Sequence, residues 1–273
     1  MKDLVNFSGV WRRTKLFEPI GELGPEEEQL KDVLWIQARS GHFIDIRYQP
    51  GATEYLKMKS FAGVTSFESS NSHFTWTREY DFRAPGSPDI GLMRLLQGTV
   101  TDPLQLEEDG VLPGDDYREI WDRLPGSDGA DGCTVRLIKK DSSGFVVKRG
   151  LFLVVGDWFA LTVSRTLSED SAGQEAELKR IFDESDFAPT AESKEYLWDY
   201  LCVVGSSTTW EVQYALHSEL RNSSLLPGQV QHPELVSLFA SLGSAEGEGD
   251  HNGKWEWDVV DGVIPSQLCG NIN

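Results

Sequence analysis

Apolar side chains recur at every second position through most of the first 165 residues, the spacing of strands that bury one face and wet the other. No other feature constrains the fold as strongly, because a helix cannot present alternate residues to a core. Strands are expected at 9–17, 33–38, 43–48, 55–62, 64–69, 73–82, 91–96, 104–107, 117–123, 133–140, 144–155 and 158–166. Gly, Pro, Asp, Asn and Ser bound most of them, as in Gln49-Pro50-Gly51 and Ala84-Pro85-Gly86-Ser87-Pro88. Short strands at this spacing make a meander that closes into a barrel or stacks as a sandwich.

Helical spacing comes later. Residues 168–183 place Ala176, Leu178, Ile181 and Phe182 among charges, with Ser168 as N-cap. Residues 233–242 set Leu235, Val236, Phe239 and Leu242 on one stripe behind a first-turn proline. Residues 21–29 and 243–253 read as exposed, mobile loops. Alternation returns at 254–260, a last strand placed to close a barrel. The expectation is an all-β chain with minor α and one or two short packing helices. Residues 1–166 form its barrel portion, and 167–273 form a helix-containing elaboration or second lobe of the same compact unit. Gly9-Val10-Trp11 and Gly156-Asp157-Trp158 hint at two related halves.

Charge narrows the function. With 44 Asp plus Glu against 25 Lys plus Arg the net charge is -19, which argues against nucleic acid and anionic membrane surfaces as partners. No 18-residue apolar run that could cross a bilayer is present, and Met1-Lys2-Asp3-Leu4-Val5 lacks a secretory signal. Cys133, Cys202 and Cys269 are too widely spaced for a disulfide framework or a zinc knuckle, so a reduced cytoplasmic protein is expected. Phosphate loops, dinucleotide fingerprints, nucleophile elbows and paired metal-binding histidines are missing, so no cofactor and no metal are expected.

Charged residues on otherwise aromatic strands are the remaining lead. Alternation puts Phe43, Asp45 and Arg47 on one strand face, and Phe74, Trp76, Arg78, Tyr80 and Phe82 on another. Tyr117, Glu119 and Trp121 share a third, which makes Glu119 a candidate for a carboxyl with a raised pKa. A barrel lined this way is a pocket with apolar walls and a few placed polar groups. The competing interpretation is structural: Asp45 and Arg47 as an ion pair, and Arg78 over Trp76 as a cation–π contact.

Several segments in order, Gly9-Val10-Trp11-Arg12-Arg13, Leu34-Trp35-Ile36-Gln37, Phe43-Ile44-Asp45-Ile46-Arg47, Phe61-Ala62-Gly63, Thr75-Trp76-Thr77-Arg78, Asp89-Ile90-Gly91 and Tyr117-Arg118-Glu119-Ile120-Trp121, resemble bacterial and fungal calycin-like proteins of unassigned function, with the fungal Hri-one-like proteins nearby. The resemblance covers 9–166 and the last strand. It implies a lipocalin-like antiparallel barrel, or two joined barrel-like lobes, with an interior cavity, and it supplies no reaction.

Two functions follow. In the first, the barrel binds a small apolar or aromatic molecule, anions included, with Trp35, Trp76, Tyr80, Tyr117 and Trp121 as walls and Arg47 and Arg78 as anchors. In the second, a cofactor-independent isomerase, cyclase or lyase uses the same cavity. There Glu119 or Asp45 moves the proton, and an arginine stabilises developing negative charge.

Overall fold

A computed structural model describes residues 7–48, 59–68, 70, 72–83, 88–99, 102–128, 132–167, 170–183, 196–197, 199–226, 229, 232, 235–238 and 255–267. Eight antiparallel strands in sequence order close into a barrel. They are β1 (Gly9–Phe17), β2 (Asp32–Gln37), β3 (His42–Tyr48), β4 (Lys59–Glu68), β5 (His73–Asp81), β6 (Asp89–Gly98), β7 (Pro103–Gly110) and β8 (Arg118–Arg123). β1 pairs with both β2 and β8, so the ladder runs all the way round. The short helix α1 (Glu26–Gln29) leads into β2.

A six-stranded open sheet packs against this barrel in the order β13-β12-β11-β10-β9-β14. Its strands are β9 (Gly132–Lys140), β10 (Val146–Val155), β11 (Trp158–Val163), β12 (Leu201–Ser206), β13 (Glu211–Ala215) and β14 (Trp255–Gly262), and helix α2 (Ser171–Asp183) lies between β11 and β12. The barrel therefore ends at Arg123, and the strands expected at 133–166 build the second sheet instead. That sheet is not a second barrel. Nor does the last strand close the first one: β8 already holds the free side of β1, and β14 pairs with β9.

Burial explains which sequences serve where. On β2 and β3, Leu34, Ile36, Ile44 and Ile46 face Leu151, Leu153, Val155 and Ala160 of the second sheet. Their neighbours Val33, Trp35 and Phe43 point into the barrel. Both faces are covered, so Val33 to Gln37 is buried without a break. The far face of the second sheet buries Phe152, Phe159, Leu161 and Val203 under Trp210, Leu225, Leu235 and Leu238. Residues 235–238 are helical; the rest of the helix expected there, and the loop expected at 243–253, lie outside the described residues.

Three smaller expectations change. The strands expected at 55–62 and 64–69 are one strand through Gly63, with 55–58 and 69 outside the described residues. The 21–29 segment is anchored rather than loose: it contains α1, and the Gln29 amide donates to the Leu16 carbonyl at 2.7 Å while its carbonyl accepts from the Leu16 N–H. Alternation on β5 breaks at a bulge. Gly63 opposes Arg78 while Ala62 opposes Tyr80, which leaves Glu79 as an extra residue and reverses the facing of everything after it. Arg78 thus stays on the barrel side with Trp76, whereas Tyr80 and Phe82 turn to the second sheet.

The bulge needs a glycine opposite it, since a Cβ on Gly63 would lie 2.0 Å from the Thr77 carbonyl oxygen. Gly63→Ala is expected to lower stability by about 2 kcal/mol in urea unfolding followed by circular dichroism; an unchanged midpoint would show that the backbone there has slack.

Candidate functional site

The barrel interior is built in three levels. At one end Phe7 and Phe67 pack on Phe74, each with ring centroids 4.8 Å from it. Above them Trp11 stacks on Trp35 at 6.0 Å, and Trp76 and Trp121 meet Trp35 edge-on at 5.7 and 6.0 Å. Offset and edge-on rings of this kind each add about 1 kcal/mol beyond their burial. The charges adjoin this layer. Strand pairing sets Asp45 opposite Trp35, Asp89 opposite Trp76 and Arg13 opposite Trp121, and alternation adds Arg47, Arg78, Glu108 and Glu119 to the same faces.

Beside these charges Trp35, Phe43, Asp45, Arg47, Phe61, Trp76, Asp89, Glu108 and Trp121 line a small funnel of about 20 Å³ in all. That volume accommodates about one water-sized group. Eight strands make a barrel that side chains can fill, and here they nearly do.

Most charges in this layer are paired. Arg13 bonds Glu119 at 2.6 Å, both buried, and Arg47 bonds Asp45 at 3.0 Å. Arg78 lies 3.4 Å from both Asp81 and Asp89. Its guanidinium stands 4.2 Å above the Phe61 ring rather than over Trp76, and Arg47 stands 5.4 Å from the same ring. The arginines expected as ligand anchors, Arg47 and Arg78, are therefore neutralised by carboxylates. Burial pushes Asp45 up, against the pull of Arg47. Burial alone would lower Arg47, but Asp45 above all holds it higher than usual. At the rim, burial followed by repulsion from Arg47 and Arg83 lowers Lys59 to about 8.

Glu108 differs from its neighbours. It is 5% exposed, and its oxygens accept from the Trp121 indole N–H at 3.0 Å and the Tyr117 hydroxyl at 3.2 Å. Those donors are neutral. Burial, then the negative charge of Glu119 and Asp89, pushes Glu108 well above the ordinary carboxyl range. Gly91 makes the room: a Cβ there would stand 2.8 Å from the Glu108 carboxyl and 3.0 Å from Trp76.

Of the residues singled out from sequence, Trp35, Asp45, Arg47, Trp76 and Trp121 line the funnel. Arg78 caps Phe61 beside it, and Tyr117 and Glu119 reach its edge through Glu108 and Arg13. Tyr80 does not belong: beyond the bulge its hydroxyl donates to the Gly150 carbonyl at 3.1 Å. Sequence reasoning missed Glu108 because it ended that strand at Glu107. Carrying the Leu106 face one step further would have found it. The thiol of Cys202 is buried and pushed up to about 12, while Cys269 lies outside the described residues. Among the described residues no helix is long and apolar enough to cross a membrane.

A carboxyl with a higher pKa folded than unfolded stabilises the fold while protonated, below about 4.5, and that contribution is lost as the pH rises through its folded value. Glu108→Gln cannot ionise. It is expected to match the parent protein near pH ~4 and to exceed it increasingly above pH ~6 in thermal unfolding; a constant offset would place the proton elsewhere.

No curated protein matches this sequence. The solved structure described as "uncharacterized protein YLR301w" from Saccharomyces cerevisiae is 14% identical, with 92% of this chain and 97% of that chain covered and a TM-score of 0.49. The sequence profile described as Protein HRI1 matches residues 19–216, from just after β1 to just after β13 and more than half of the 273 residues. The chain belongs to the HRI1 family.

Proposed function

We propose that the barrel binds a small apolar or aromatic molecule at its charged mouth. One observation carries the reading: three Trp, two Phe and four charged side chains converge on one funnel that opens beside partly exposed Arg47, Asp89 and Arg78. Apolar walls with a few convergent polar groups are the usual make-up of a small-ligand site. A cavity this small admits only the tip of a ligand, so its body rests outside, against Phe61 and the two guanidiniums that cover it.

Saturable quenching of tryptophan fluorescence on titration with benzyl alcohol or indole is the expected outcome. Trp76→Ala should weaken that binding at least fivefold without unfolding the chain. Linear, non-saturating quenching of the parent protein would overturn the reading.

A second reading, a cofactor-independent isomerase, cyclase or lyase, is favoured by one observation, the raised carboxyl of Glu108 beside the funnel. A carboxyl whose pKa is raised by burial is better placed to act as a general acid. Asp45, also raised, is the other candidate. Turnover of an enolisable aromatic ketone, followed by solvent deuterium exchange, should then fall at least a hundredfold in Glu108→Gln; exchange at the uncatalysed rate in the parent protein would dismiss this reading.

A further inference from the structure

The other acids of this layer have cationic partners: Asp45 has Arg47, Glu119 has Arg13, and Asp81 and Asp89 share Arg78. Glu108 accepts from the indole and phenol donors, and among the described residues no ammonium or guanidinium lies within ion-pair distance of it. A buried carboxyl without a counter-ion is costly to ionise, and it holds its proton for want of a compensating charge. The space beside it is walled by Trp35, Trp76 and Trp121, rings whose faces attract cations. Two further carboxyls, Asp45 and Asp89, border the same space.

We infer that the ligand of this funnel carries a primary ammonium head, which sits between the tryptophans with Glu108 as its counter-ion. The inference rests on the small-molecule reading above and adds the ligand's charge and size. Size follows from the volume of the funnel: about 20 Å³ holds an ammonium but not a trimethylated one. Charge follows from the balance around the funnel. Its two arginines are committed to Asp45 and to the Asp81–Asp89 pair, and Arg47, the guanidinium in the lining, also covers Phe61. The group left over is negative once ionised. An incoming ammonium would take the place of the proton on Glu108 as the balancing charge, so anions are disfavoured despite the arginines in view.

Three probes with one body test this on the full chain by isothermal titration calorimetry and tryptophan fluorescence: benzylamine, benzyl alcohol and benzoate. Benzylamine is expected to bind at least tenfold tighter than benzyl alcohol, and benzoate weakest. N,N,N-trimethylbenzylammonium should lose the advantage because its head is too large for the funnel. In Glu108→Gln the preference for benzylamine over benzyl alcohol should disappear. Equal binding of the amine and the alcohol, or tightest binding of benzoate, overturns the cationic head and leaves the binding site standing. Failure of all the probes to bind overturns both. Should Glu108→Gln not fold, the ranking of the probes on the parent protein still decides.

Discussion

Strands β2 and β3 have no wet face. One side of each builds the tryptophan layer of the barrel, and the other is pressed against β10 and β11. A strand covered on both sides is apolar except where a polar group is paired, as Asp45 is with Arg47, and it can neither slip by one residue nor curl outward without exposing a full row of side chains. Much of the molecule answers to this shared wall. It hides one side of the barrel and leaves β6, β7 and β8 facing solvent with Arg94, Glu107, Asp109 and Arg118 bonded across their outer surface.

The wall is held at its far corner by a buried arginine. Arg165 donates to the backbone carbonyls of Asp81, Phe82 and Tyr196 and lies among the rings of Phe82, Tyr196 and Tyr200. A guanidinium can do this because its five donors lie in one plane, and carbonyl oxygens satisfy it without a counter-charge. Burial lowers it to about 10. The chain leaving β5 is thereby tied to the segment leaving β11, and Tyr80 bonds Gly150 close by. The bulge that turns Tyr80 outward thus joins two layers as well as ending the interior face of β5.

Period-two alternation made the barrel strands legible, since one buried face per strand leaves its mark on the sequence. Where both faces are buried the mark changes to a continuous apolar run, as in Leu201 to Val204 of β12, which escaped notice; β13 keeps a wet face but is only five residues long. The funnel was half legible. Trp35, Asp45, Arg47 and Trp76 follow from alternation alone, and so does the Asp45–Arg47 ion pair, but the pairing of Arg13 with Glu119 joins strands distant in sequence that no single strand reveals. Tyr80 was misplaced because a bulge is a two-strand event. Its cause, the closeness of Gly63 to Thr77, lies on the other strand. Glu108 looked like one of three successive acids, Glu107 to Asp109, and only the barrel distinguishes the one that faces inward.

The second sheet, unlike the barrel, has ends. The β13 edge is covered by the returning chain, where Val212 donates to Ser223 and Leu225 to Trp210. Among the described residues no strand pairs with the outer side of β14, which also exposes Trp257, Val260 and Val263. An open, apolar edge invites a like strand from another molecule. Glu256, Asp258 and Asp261 are spaced along it, so two such edges brought together would set carboxylates against carboxylates. The acidity of this chain, spread over its surface, thus also bears on its last strand, where it opposes pairing between copies edge to edge.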